Sequence, residues 1–176
     1  MSRTRTIMIT GLSVTTALLS ACGGSDSAPK AGAEHETPSW MLASSPPDAQ
    51  NVNDAKASAQ EGDIIVLRGR IGGRTEPITP ESPVFTIVDL SLPHCGEMEA
   101  DSCSTPWDYC CELPETIAAN AATVQVVDEH NRPVASNLLS YGFSPLDEVI
   151  IIGRAGSRPN RTVLTIQATG VFSVPE

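Results

Sequence analysis

The chain has 176 residues, 40% of them hydrophobic, with 11 Lys+Arg against 21 Asp+Glu and a formal net charge of −10. That length suits one folded domain and is short for two. The acidic balance excludes nucleic acid as a partner, because wrapping a phosphate backbone needs clustered cations, and it repels anionic lipid surfaces.

Arg3 and Arg5 precede an apolar run over residues 7–21, interrupted by Thr10, Ser13, Thr15 and Thr16 and followed by Cys22. A spanning helix needs roughly 20 mainly apolar residues, so this run is too short and too polar to cross a bilayer. A charged start followed by a short apolar stretch is the layout of a secretory signal. The ending Leu19-Ser20-Ala21-Cys22 resembles the lipobox of bacterial lipoproteins. The resemblance implies a signal peptide over 1–21, cleavage before Cys22, and acylation of the Cys22 thiol with palmitate-type chains. The membrane is then a partner through that anchor, with the protein facing the periplasm. Gly23 stands where some bacteria read aspartate as an inner-membrane retention signal, which points to the outer membrane. The alternative is a soluble-secretion signal cut after Ala21. Either cut leaves 9 Lys+Arg against 21 Asp+Glu, a formal charge of −12.

Residues 22–60 read as a flexible tether. The part up to about Pro47 is Gly, Ser, Ala and Pro with scattered charge and no apolar period. Trp40-Met41-Leu42 is its one apolar cluster, either a docking point or a sticky spot on a solvated tether. Residues 53–60 have the composition of a short helix capped by Asn53 or Asp54 and ended by Gly62. From residue 61 to 174 the pattern turns to β. Runs over 64–71, 84–89, 123–128 and 149–154 are strand-length and rich in β-branched residues. A fifth run sets Leu164, Ile166, Ala168, Gly170 and Phe172 on one face and Thr165, Gln167 and Thr169 on the other. Pro114 to Ala122 is the best helix candidate.

The expected class is therefore all-β. Five short strands, with glycine inside the first and at the end of the fourth, resemble the five-stranded OB-fold barrel, where glycine lets a coiled strand serve both halves. Asn131, Pro133, Gly142 and Pro145 break the third-to-fourth connection, so the helix common there is expected to be short or missing.

A cysteine-rich loop lies between strands two and three. Cys95, Cys103, Cys110 and Cys111 fall within 17 residues. In an oxidising compartment an even set of thiols reads first as two disulfides stapling a loop, roughly 2–3 kcal/mol each in the chain-entropy model. Adjacent Cys110 and Cys111 point apart, so each would pair with Cys95 or Cys103, in an order the sequence leaves open. The alternative is a zinc or copper site or a thiol-redox centre drawing on His94, Cys95, Cys103, Cys110 and Cys111, with Met98 as a further donor. Contiguous cysteines and missing C-x2–4-C knuckles speak against the metal. Trp107 and Tyr109 read either as a binding lip or as a small core packed on the disulfides.

The stretches GDIIVLRGRIGG, VFTIVDLSL, TPWDYCC (Thr105 to Cys111) and ATVQVVD together resemble a group of small planctomycete lipoproteins. The resemblance spans residues 62–172 and implies lipid anchoring and an OB-like domain, with no substrate attached.

No Gly-x-Ser-x-Gly elbow, phosphate-cradling glycine loop or His-Glu-x-x-His motif occurs, and the three histidines are scattered. The expectation is a non-enzymatic binding module of the cell envelope, without cofactor, with Arg68, Arg70 and Arg154 contributing a cationic face. The alternative is a metal or thiol-redox protein acting through the cysteine loop.

Overall fold

The computed structural model describes residues 37–98, 103–135 and 138–175. The expected signal, the Cys22 attachment site and the first part of the tether lie outside the described residues. The strands and helices all belong to the unit Glu36–Glu176.

Six strands form one sheet: β1 (Gln50–Asn51), β2 (Ile64–Ile71), β3 (Val84–Val88), β4 (Ala121–Val126), β5 (Glu148–Ala155) and β6 (Thr165–Ser173). Their order is β1-β2-β3-β4-β6-β5, and β2 also pairs with β5 from Ile64↔Arg154 to Arg70↔Glu148. That pairing closes β2 to β6 into a five-stranded barrel, with β4 and β6 parallel and the other barrel pairs antiparallel. This is the OB-like connectivity expected from the glycine-bearing strands. Alternation decides which side faces in: along β2, Ile65, Leu67 and Ile71 are buried while Ile64 is 60% exposed.

Gly153 sits at an irregularity of the barrel wall. The register shifts between Ile152 and Gly153, and a Cβ at Gly153 would run into the Gln167 carbonyl. The shift corrects the face expected for the last strand. Beyond it Val171 takes the core position at 0% exposure, and Phe172 turns partly outward.

The structure also corrects the tether boundary. Trp40 is 4% exposed and sits in the core, Met41 bridges to Val171, and β1 pairs with β2 in parallel. Helix α1 (Val52–Ser58) follows, with Val52 and Ala55 buried. Burial of the indole and of two helix residues contributes to holding this stretch on the barrel. Helix α2 (Pro114–Asn120) starts at proline, whose fixed φ suits a first turn. Between β4 and β5 the described residues form only a 3₁₀ turn (Leu138–Tyr141), matching the broken helix expected there. No helix among the described residues is long and apolar enough to cross a membrane.

Candidate metal centre

The loop between β3 and α2 is held in place from three sides. At its start, Asp89 is 2% exposed, and its carboxylate accepts from Asn53 N at 2.8 Å, Ser91 N at 3.0 Å and Ser91 Oγ at 2.7 Å. Burial pushes the Asp89 pKa up, but these hydrogen bonds outweigh it and hold the carboxyl below its ordinary range. At its middle, the Trp107 carbonyl accepts from Gly73 N at 2.8 Å, and the indole Nε1 donates to Thr75 O at 3.0 Å. A Cβ on Gly72 would lie 2.8 Å from the Trp107 carbonyl, so glycine at the end of β2 is what allows this approach. At its end, Tyr109 is 1% exposed and packs with Val88, Leu92, Ile117 and Ala121.

Tyr109 has φ 58, a left-handed conformation uncommon for a bulky residue. This turns the chain so that Cys110 folds back over the loop. Its sulfur lies 3.3 Å from Cys103 Sγ and 3.7 Å from Cys95 Sγ. Asp108 completes the group: the donor atoms of Cys95, Cys103, Asp108 and Cys110 all lie within 4.8 Å of one another. Cys95 is buried, Cys103 and Asp108 are half-buried, and Cys110 is exposed, so the cluster opens to solvent on one side.

No sulfur pair among the described residues is at bonding distance, since a disulfide needs about 2.05 Å. The expected two-disulfide staple is not formed among the described residues, where Cys95, Cys103 and Cys110 stand together as thiols. The separations fit another arrangement: a tetrahedral ion with metal–sulfur bonds of ~2.3 Å sets its sulfurs ~3.8 Å apart. The Cys95–Cys110 edge already has that length, and the Cys103–Cys110 edge is about half an ångström short of it.

The thiols are electrostatically unequal. The Thr105 backbone N–H and then the Cys110 thiol hold Cys103 below its ordinary pKa, while hydrogen bonding to Cys103 and Cys95 pushes Cys110 well above its own. Cys103 is thus the first of the pair to lose its proton, and a metal ion binding here would displace protons from the thiols it takes as ligands. Asp108 is pre-aimed: Oδ2 accepts from Thr105 Oγ1 at 2.8 Å and Oδ1 from Cys110 N at 2.9 Å. Burial acts to raise its pKa, and these bonds bring it below the ordinary carboxyl value.

Several expected site residues fall elsewhere. His94 is outside the cluster: Nδ1 accepts from Gly96 N at 3.1 Å and Nε2 lies 3.2 Å from Glu97. Cys111 is also outside it, because the reversal at Tyr109 directs only one of two adjacent thiols inward. Trp107 and Tyr109 form no lip: one is fastened to Thr75 and the other is buried. The three arginines of the expected cationic face are engaged locally. Arg68 pairs with Glu148 at 2.6 Å, Arg70 with Glu97 at 3.3 Å, and Arg154 donates to Gly62 O at 2.5 Å. Arg70 Nη1 and the Tyr109 hydroxyl are both buried and lack a hydrogen-bond partner of good geometry. Burial raises the Tyr109 pKa, with Arg70 pulling the other way. Asp108 is the site residue that sequence reasoning misses. Its signal in the sequence is the Thr105-x-x-Asp108 spacing, which lets a hydroxyl hold the carboxylate across one tight turn.

Fold and site together define a small OB-like β-barrel bearing a Cys3Asp cluster on the loop between its second and third barrel strands. No family model matches the chain, and no curated protein matches it. Among solved structures, the hypothetical protein ygiW from E. coli is similar, with 14% identity, 79% of this chain and 100% of that chain covered, and a TM-score of 0.40. The barrel is defined by its own strand order and closure.

Proposed function

We propose that this protein is a zinc-binding module of the bacterial cell envelope, non-enzymatic and tethered by lipid at Cys22. The observation that carries the metal reading is the convergence of Cys95, Cys103, Cys110 and Asp108, whose donor atoms lie within 4.8 Å of one another with sulfurs 3.3 and 3.7 Å apart. A carboxylate among the donors favours zinc over copper(I), which selects soft ligands alone. The anchoring reading is supported by Arg3, Arg5 and the Leu19–Cys22 lipobox resemblance, and it puts the barrel in the periplasm, at the outer membrane given Gly23. The likeness to planctomycete lipoproteins is part of this reading.

Native mass spectrometry and metal analysis of protein purified without chelator test the centre. The expected result is one zinc per chain, lost in Cys95→Ser. Metal-free protein lacking four hydrogens, as two disulfides would give, refutes it. Cys22→Ser is expected to release the protein from the membrane fraction; retention there refutes the anchor.

A second reading, a ligand-binding barrel, is favoured by an apolar hollow of about 390 Å³ where Ile117, Ala118 and Ala121 face Val163 and Leu164. An apolar fluorescent probe should bind it and lose affinity in Ile117→Glu. Equal binding by both proteins would dismiss this reading.

A further inference from the structure

Away from the thiols, residues 56–61 and the loop after β5 enclose an open hollow of about 470 Å³. Its wall carries Lys56, Arg158 and Arg161 against a single carboxylate, Glu61, on a chain of net charge −10. Such a local surplus of cations is against the grain of the molecule.

Lys56 is 7% exposed, and its Nζ donates to the carbonyls of Ala118 and Thr162, each at 2.6 Å. Arg158 donates to the carbonyls of Val163 at 3.2 Å, Ala59 at 2.5 Å, Lys56 at 2.8 Å and Arg161 at 3.0 Å. These bonds fasten the C-terminal ends of α1 and α2 to the 156–164 loop, where the helix dipoles favour cations. Every acceptor is a neutral carbonyl, however, and neither cation has an ion-pair partner among the described residues. Burial, and then repulsion from Arg158, lower the Lys56 pKa to about 8.

Donors remain unspent. An ammonium has three N–H bonds and Lys56 uses two; Arg158 keeps one on Nη1. Asn160 Oδ1 accepts from Thr162 N, Thr162 Oγ1 and Val163 N, which commits the oxygen and leaves the amide NH2. Arg161 is exposed on the rim. A concave wall of charged donors, with its carbonyls already occupied, is complementary to an anion carrying several acceptor oxygens.

We propose that this hollow binds a phosphate-type oxyanion through Lys56, Arg158 and Arg161, with Asn160 at its rim. The acidic chain is repelled by anionic bilayers, so the expected source is a free oxyanion and not a lipid headgroup. The site is independent of the zinc centre.

The test is calorimetric titration of the full chain with inorganic phosphate at low ionic strength, with and without zinc, beside co-sedimentation of Cys22→Ser protein with phosphatidylglycerol vesicles. Saturable binding of one phosphate per chain is expected in both zinc states. Arg161→Met should weaken it about tenfold, the loss of a charge-assisted hydrogen bond. Lys56→Met should weaken it at least as much; if that variant does not fold, Arg161→Met decides. Arg161-dependent binding to vesicles alone would keep the site and reassign its source to a headgroup. No saturable binding of either probe, or binding unchanged in Arg161→Met, overturns the site.

Discussion

Replacing Trp40 with alanine tests whether the segment before α1 belongs to the barrel. The indole is 4% exposed and meets Tyr141 edge-on at 5.2 Å and Phe143 at 6.3 Å between ring centroids. Its main chain is untouched by the change, so the Val171 N to Trp40 O bond at 2.8 Å and the Leu42 N to Val171 O bond at 2.9 Å remain available. The loss is therefore one of packing. Truncating a buried tryptophan costs about 3–5 kcal/mol, of which the aromatic pairs account for about 1 kcal/mol. Against a typical domain stability of about 5–15 kcal/mol the variant stays folded but weakened. Its Tm should fall by about 10–20 °C. Urea unfolding followed by far-UV circular dichroism reads the difference, with the denaturant slope unchanged. A loss below about 1 kcal/mol would mean that the ring is dispensable and that the barrel begins at β2.

Asp89→Asn removes a carboxylate that accepts three hydrogen bonds across two elements, so unfolding free energy should drop by about 2–3 kcal/mol. Because folding lowers this pKa, the wild-type advantage is full above the ordinary value of 3.8 and is lost as pH falls from there through the lower folded-state value. A gap between the two proteins that widens on acidification would contradict the sign. Asp108→Asn should weaken zinc binding by about 10–100-fold in a competition assay, whereas Cys111→Ser should leave it unchanged; equal effects would remove Asp108 from the centre. Diamide, accepting two hydrogens, should join Cys103 to Cys110 and expel bound zinc, as read by a released-zinc dye. Zinc retained after that disulfide is mapped would separate the thiols from the ion.

The barrel strands are legible because each carries its own pattern. In β2 and β4 every second side chain faces a core, and that period is written into consecutive residues. Gly72 and Gly153 are likewise readable as breaks, though what approaches Gly72 lies far along the chain. The failures share one cause. Trp40 looks like an isolated apolar spot because its partners, Tyr141, Phe143 and Val171, are a hundred residues or more away. A strict alternation sends Phe172 inward, and one bulge resets it. Arg68, Arg70 and Arg154 stand out by charge alone, and Glu148, Glu97 and the Gly62 carbonyl, all distant in sequence or set by the fold, engage them.

At the cysteine loop the division is sharpest. Residue order alone determined that four thiols, a carboxylate and a hydroxyl share one short segment. It also carried the strand periods from which an OB-like barrel follows. Only the tertiary structure decided which thiols meet. The left-handed turn at Tyr109 is held by burial of its ring under Gly72, against Val88 and Ile117, and that turn selects Cys110 over Cys111 and brings Asp108 in place of His94. Such a choice depends on distances between residues remote in sequence, which local pattern does not encode.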